Sequence, residues 1–350
     1  MPDYLIIGQG LAGSLLAWTL IRRGRQVRVL DDGHRTASSR VAAGLINPLA
    51  GMRFNAHPRT ADWLAAMHNA YATLARELDQ PAFVHTLPMQ RLFRSPEQVR
   101  FFDRQRENPT VADWLGARFG PGEADPGIRA PHGGFLQSHT GYVELPRLLD
   151  ALRDWLHRQD AWRQVAVDLR TLRITPDGVE LHGERAAHLI CCEGYRMRNN
   201  PWFDWLPLQP DRGVIQRLDG PRHLCRHIVN GAHWLIPLAD GGYRFGATHA
   251  HRRLEGPVSE EEHEALDHGL RGLLEDPARV TVVEEAAGVR PATADRQSFL
   301  GTHPREPRLH IFNGFGARGA LSIPWHAERM ADWLLDGRPL PAETDIARHA

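Results

Sequence analysis

Tyr4-Leu5-Ile6-Ile7-Gly8-Gln9-Gly10-Leu11-Ala12-Gly13 is the stretch whose reading decides the fold. Four apolar residues in a row suit a buried parallel strand, and the glycine turn behind them opens a helix predicted from Leu11 to Arg23 and closed by Gly24. Gln26-Val27-Arg28-Val29-Leu30-Asp31 reads as the next strand. Each glycine of the trio has a separate physical task. The first permits the tight turn, the second lets the backbone approach a pyrophosphate, and the third lets the helix pack on the strand. Amides at the helix N-terminus then face the phosphates. Asp31 follows Gly13 by eighteen residues, at the strand end where a carboxylate accepts ribose hydroxyls and repels a 2′-phosphate; Asp32 is the weaker choice. The pattern is that of a site for the ADP half of a dinucleotide. By itself it does not say which dinucleotide.

Bulk properties narrow the chemistry around this turn. The 350 residues, 42% of them hydrophobic, are enough for two domains. Basic and acidic residues both number 42, with no long block of one sign, so a small neutral or zwitterionic partner is expected. Nucleic acid is disfavoured, although a basic patch assembled in three dimensions would not show in composition. All 42 cationic residues are arginines. Without lysine, P-loop, pyridoxal and Schiff-base chemistries are excluded. Cys191, Cys192 and Cys225 have neither a disulfide framework nor zinc-ligand spacing, which suits a reducing cytoplasm. The apolar stretch from Tyr4 to Ile21 has Asp3 where a leader would be basic and reads as fold, not as a signal peptide. No run of about 18 apolar residues suggests a membrane span.

Further along, Trp63, Leu64, Met67, Tyr71, Leu74 and Leu78 recur at helical spacing, and a second helix is predicted from Leu145 to Leu156. Val165 to Ile174 and His188 to Gly194 read as strands. Between about 205 and 286, the pieces Gly213–Gln216, Trp234–Ile236 and Tyr243–Gly246 suggest a second, antiparallel sheet. Ser259 with Glu262 forms a capping box for a helix. After a strand over Leu309–Phe312, a last helix is predicted from Pro324 to Leu335 and stopped by Gly337 and Pro339.

Three landmarks extend the reading to the whole chain. The order of Ser38-Ser39-Arg40-Val41-Ala42-Ala43-Gly44, Gly288-Val289-Arg290-Pro291 with Asp295 and Gly301, and Gly314-Phe315-Gly316-Ala317-Arg318-Gly319 resembles the D-amino acid oxidase-like family of FAD oxidoreductases. That family includes glycine oxidase, sarcosine oxidase and the oxidase domain of the bifunctional enzyme that makes 5-methylaminomethyl-2-thiouridine in tRNA. The resemblance is weakest over 56–140.

The resemblance implies an α/β fold. A Rossmann-type FAD-binding domain would be formed by 1–55, 141–204 and 287–350, and an α+β substrate domain with an antiparallel sheet by 56–140 and 205–286. It assigns FAD to Gly8, Gly10, Leu11, Ala12, Gly13 and Asp31; to Ser39 and Arg40 near the phosphates; to Ala43 and Gly44 near the ring; to Val167 near adenine; and to Gly194. Gly316, Ala317, Arg318 and Gly319 would turn free amides to the flavin's pyrimidine edge, stabilising the charge that develops there. Arg290 and Arg318 would hold a substrate carboxylate, since a guanidinium fork grips it bidentately and orients the α C–H toward flavin N5; Arg53 is a further candidate.

The implied activity is oxidation of a C–N bond of a small amine or amino acid to an imine by hydride transfer to N5, with oxygen or another acceptor taking the electrons. Two alternatives stand beside it, a tRNA wobble-uridine-modifying oxidase and a flavoprotein whose FAD has a non-redox or scaffold role. The lack of lysine departs from sarcosine-oxidase-like members, which use one to activate oxygen. Positions 40–44 and 314–319 hold no histidine or cysteine for covalent attachment, so noncovalent FAD is expected. His249 and His251 form an HxH pair without a third ligand in view, and no metal is expected. Trp202, Trp205, Trp234 and Tyr243 are candidates for an apolar pocket, although a core position is the commoner fate of any one aromatic.

Overall fold

The structure is a computed structural model that describes residues 1–33 and 37–350. Its centre is a six-stranded sheet in the order Trp162–Gln164, Val27–Asp31, Tyr4–Ile7, His188–Cys191, Leu309–Asn313, Phe299–Thr302. The first five strands are parallel and the last is antiparallel to its neighbour. Successive residues of a strand face opposite sides, and both faces of this sheet are covered. Tyr4 and Ile6 join a core with helices Leu11–Arg22, Thr60–Glu77, Leu145–Arg158 and Gly319–Asp336. Leu5 and Ile7 join a second core under the hairpin strands that carry Val179 and Leu181. Burial on both sides is why the central strand Tyr4–Ile7 is apolar throughout and does not alternate.

The second sheet has eight strands, in the order Thr281–Arg290, Asp211–Asp219, Tyr243–Gly246, Trp234–Pro237, Ile228–Asn230, Met89–Leu92, Gly134–Gln137, Leu115–Phe119. It is antiparallel except where Ile228–Asn230 runs parallel to Met89–Leu92. The expected antiparallel sheet is therefore present, and it also recruits strands from the 89–137 region. The capping box forms as expected, with the Ser259 hydroxyl accepting from the Glu262 amide and the Glu262 carboxylate accepting from the Ser259 amide. Among the described residues, no helix is long and apolar enough to cross a membrane.

Two elements differ from the sequence reading. The strand expected from Val165 to Ile174 is broken: a strand covers Trp162–Gln164, Asp168 caps the short 3-10 turn Leu169–Thr171, and Arg173–Thr175 begins a separate sheet. A side-chain acceptor at Asp168 competes with strand pairing, and the turn wins. The last helix begins at Gly319, five residues before Pro324, where the sequence pattern predicts its start. Pro324 lies inside it and cannot donate to the Ala320 carbonyl four residues back. The Tyr71 hydroxyl donates to that carbonyl instead, at 2.8 Å. A phenol from another helix thus satisfies the acceptor that proline leaves open.

Candidate functional site

The C-terminal ends of Tyr4–Ile7, Val27–Asp31 and His188–Cys191 open onto a cavity of about 460 Å³ that extends to the second sheet. At its first end the chain turns sharply at Gly8, whose φ is +98°; a Cβ there would meet the Cys192 carbonyl oxygen at 2.7 Å. Gly10 caps the helix that follows. The Asp31 carboxylate sits at the strand end, accepting from the Gln9 amide at 2.8 Å and from the Gly33 amide at 2.7 Å. These two bonds fix it at the cavity wall. Ser39 reaches back from the short helix Ser38–Val41, and its Oγ accepts from the Leu11 amide at 3.1 Å, in the first turn of the helix.

Of the sequence-predicted residues, Gly8, Gly10, Leu11, Ala12, Asp31, Ser39, Ala43, Gly44, Val167, Gly194, Arg290, Gly316, Ala317, Arg318 and Gly319 all border this one cavity. Gly13 lies beneath the turn, where a Cβ would come within 1.9 Å of the Gly8 carbonyl oxygen. Arg40 does not border the cavity, because its guanidinium pairs with Asp150 on a neighbouring helix. Arg53 lies over the Phe101 ring, away from the cavity wall. Of the four aromatic candidates only Trp234 borders the cavity. Tyr243 is a core residue, while Trp202 and Trp205 pack beside the core under the hairpin strands.

The two predicted arginines differ in their surroundings. Arg290 donates to Asp211 Oδ2 at 2.7 Å, and the same oxygen is 2.8 Å from His249 Nδ1. Burial alone would raise the Asp211 pKa. The His249 hydrogen bond and the Arg290 charge outweigh that and hold it below the usual carboxylate range. The guanidinium passes directly over Gly213, where a Cβ would lie 2.2 Å from Nη2. Arg318, at the N-cap of Gly319–Asp336, has no carboxylate partner among the described residues. The surrounding protein, and then the Arg296 charge, lower its pKa. A cation so placed beside a helix N-terminus favours an anionic group in the cavity.

Three further residues were not singled out from sequence: Arg91 and Glu193 line the cavity, and Asp211 pairs with the lining residues Arg290 and His249. Arg91, on the fully buried strand Met89–Leu92, donates to the Leu49 carbonyl at 3.1 Å and to the Gly51 carbonyl at 3.0 Å. Burial, and then the Arg94 charge, lower its pKa to about 10, so it remains charged at neutral pH. Asp211 is the second; His249, noticed only as half of an HxH pair, serves it as a hydrogen-bond partner. His251 Nδ1 is 3.3 Å from the Pro210 carbonyl oxygen. Among the described residues no group of three histidine, cysteine or acidic side chains is placed to hold a metal. The third is Glu193, whose carboxylate accepts from Asn200 Nδ2 at 2.6 Å. Burial pushes its pKa up to about 7, against the opposing Asn200 hydrogen bond and Arg196 charge.

Fold and cavity together define the class, a mixed α/β oxidoreductase built around a dinucleotide-binding turn. The chain belongs to the FAD dependent oxidoreductase family, whose model matches residues 3–333. It is 26% identical over 390 residues to the tRNA 5-methylaminomethyl-2-thiouridine biosynthesis bifunctional protein of Azoarcus sp., covering 98% of this chain and 58% of that protein. The protein of the same name from Maricaulis maris is 29% identical, with 97% and 53% covered. The chain thus spans a little over half the length of these relatives. Among solved structures, glycine oxidase from Geobacillus kaustophilus superposes with a TM-score of 0.85 at 21% identity, covering 100% of this chain and 98% of the other. Iminodiacetate oxidase from Chelativorans sp. superposes with a TM-score of 0.82 at 22% identity, with 99% and 98% covered. At these identities the likeness is one of fold.

Proposed function

We propose that the protein oxidises the C–N bond of a small amine or amino acid of the glycine or sarcosine type. The observation that carries this reading is Arg318, an arginine without a carboxylate partner among the described residues that opens a helix over the same cavity as the glycine turn. FAD fits the residues present: the missing Cβ at Gly8 clears the turn, and Asp31, held beside that turn by the Gln9 amide, offers a carboxylate acceptor for ribose hydroxyls. When bound, FAD supplies the two-electron oxidising power that the side chains lack. In this proposal Gly8, Gly10, Leu11, Ala12, Asp31, Ser39, Ala43, Gly44, Val167 and Gly194 line the cofactor, and Gly13 supports the turn from below. Attachment is noncovalent, and oxygen or another acceptor removes the electrons. The bodies 1–55, 141–204 and 287–350 would form the cofactor domain, and 56–140 with 205–286 the substrate domain.

Arg318 would hold the substrate carboxylate, with the amides of Ala317 and Gly319 adding partial positive charge; the amides of Gly316 and Arg318, expected to be free, instead donate to the Pro291 and Phe315 carbonyls. Arg290 contributes less net charge, because Asp211 already neutralises it, and serves to shape the wall with His249. Trp234 and Ile215 supply apolar surface that excludes water from the reacting C–N bond. A second reading, oxidation of an amine carried on a tRNA uridine, is favoured by the names of the relatives at 26% and 29% identity.

The test is anaerobic mixing of the FAD-loaded protein with glycine, sarcosine, iminodiacetate, D-alanine and undermodified tRNA, followed by flavin absorbance. Bleaching by an amino acid supports the first reading and bleaching by tRNA alone the second. If none bleaches the flavin, both readings fall and a non-redox role gains. The rate at which colour returns on readmitting air tells oxidase from dehydrogenase.

A further inference from the structure

The sheet face that borders the cavity continues beyond it to a pair of arginines. Alternate residues of Asp211–Asp219 share a face, so Arg217 follows Gly213 and Ile215, both of which line the cavity. Its direct antiparallel partner on Tyr243–Gly246 is Arg244. Two like charges opposite one another in a sheet repel, and the nearby Tyr142, Asp240 and Glu144 only partly offset burial and that repulsion at Arg244. Arg217 Nη2 donates to the Gly241 carbonyl at 2.6 Å and lies 3.3 Å from an exposed Asp240 carboxylate, while its Nη1 is buried without an acceptor. Arg244 Nη1 is likewise buried without an acceptor, and among the described residues Arg244 has no ion-pair partner. Burial, and then the Arg217 charge, lower the Arg244 pKa.

A third arginine completes the group. Arg222 borders the same surface hollow as Arg217, and a Cβ on Gly241 would stand 3.6 Å from its Nη2. Three other acids are near: Asp219 borders the hollow, Glu284 is the cross-strand partner of Arg217 on the other side, and the Glu144 charge acts on Arg244. Among the described residues none of these forms an ion pair with any of the three arginines. Arg217 and Arg222 thus flank one glycine turn, with Arg244 opposite Arg217 across the strands, and among the described residues Asp240 is the one acid in ion-pair contact with any of the three. Planar arginine forks in this arrangement match the oxygens of a phosphate better than a lone carboxylate.

We propose that Arg217, Arg222 and Arg244 form a phosphate-binding site at the rim of the cavity, taking a phosphoryl group of a substrate whose amine end enters the cavity. Arg217 lies one strand repeat, about 7 Å, beyond Ile215, so one extended ligand can reach both places. The role of the cavity end rests on the amine-oxidation reading, whereas phosphate binding stands without it. Two sources share this chemistry, a nucleic-acid backbone and a small phosphorylated amine.

The test uses the FAD-loaded protein and two probes, a fluorescein-labelled single-stranded RNA of about 12 nucleotides followed by anisotropy and inorganic phosphate followed by calorimetry. In R217Q/R244Q, RNA affinity should fall at least about tenfold, and the slope of log affinity against log salt should drop by about 1.4, near 0.7 for each lost contact. Loss of phosphate binding with unchanged RNA affinity would still support the site and would assign it to a small phosphorylated substrate. If the wild type binds neither probe, or the double variant binds both as the wild type does, the proposal is overturned. R222Q changes an exposed side chain outside the strands and gives a second, milder measurement should the double variant fail to fold. No turnover is read, so failure here and failure of the bleaching experiment are separate results.

Discussion

Replacing Glu193 with glutamine should make the protein more stable, and increasingly so as pH rises. The carboxyl lines the cavity, accepts from Asn200, and is pushed by burial from an ordinary 4.5 up to about 7. Its folded-state value therefore lies above its unfolded one. Between the two, the folded protein holds a proton that the unfolded chain has released, so stability falls with rising pH. At about 1.4 kcal/mol for each tenfold change, the full interval costs about 3 kcal/mol, all of it in force by about pH 8.5 and little of it at about pH 4.5. Glutamine keeps an oxygen for Asn200 and has no charge to desolvate. Urea unfolding of wild type and Glu193→Gln apoprotein at several pH values measures the difference, in which contributions from all other groups cancel. A stability gap that stays flat from about pH 5 to about pH 8.5 would show that Glu193 ionises in the folded state as it does in water, and the reasoning would fail.

Four other substitutions test separate features. Arg318→Ala should lower kcat/KM for any amino acid that bleaches the flavin by roughly a hundredfold, about 3 kcal/mol of lost charge pairing; unchanged steady-state kinetics would contradict its assignment. Gly13→Ala puts a methyl 1.9 Å from the Gly8 carbonyl oxygen and should cost about 3 kcal/mol in thermal unfolding and leave the purified protein depleted of flavin absorbance. Asp211→Asn leaves Arg290 without its counter-charge and should cost about 3 kcal/mol at neutral pH. Because the Asp211 pKa is depressed by folding, that stabilisation is present above the ordinary carboxylate value and is lost as pH falls through the folded one, so urea midpoints of variant and wild type should converge in acid. Tyr71→Phe strips the Ala320 carbonyl of its donor and should lower stability by about 1 to 3 kcal/mol by chemical denaturation, with the amino-acid kinetics unchanged.

The glycine turn was legible because its chemistry admits few residue types. A tight turn and a helix packed against a carbonyl leave no room for a side chain at Gly8 or Gly13, and that exclusion is written in the sequence itself. The C-terminal turn was legible in the same way, with Gly316 and Gly319 flanking Arg318. Residues whose roles come from pairing were harder to read. Asp211, His249 and Arg290 meet only because one strand carries Asp211 directly opposite Arg290, a register that composition does not encode. Arg91 lies in a strand where all four residues are buried, so no alternation marked it as facing a cavity. Arg40 misled in the opposite direction: it lies beside Ser39 in sequence, yet its long side chain reaches away to Asp150. The broken strand at 165–174 turns on a local acceptor, Asp168 capping Leu169–Thr171, whereas the last helix accommodates Pro324 through a partner distant in sequence, the Tyr71 hydroxyl.

The strand Asp211–Asp219 is also a ruler. Asp211, Gly213, Ile215 and Arg217 are successive rungs on one of its faces, so the spacing from the Asp211–Arg290 pair to the Arg217–Arg244 pair is set by covalent backbone geometry, not by loops that can bend. Changing a side chain on it alters what a rung grips. Only inserting or deleting a pair of residues would alter the length being measured, and such a change should shift the preferred ligand by one whole rung.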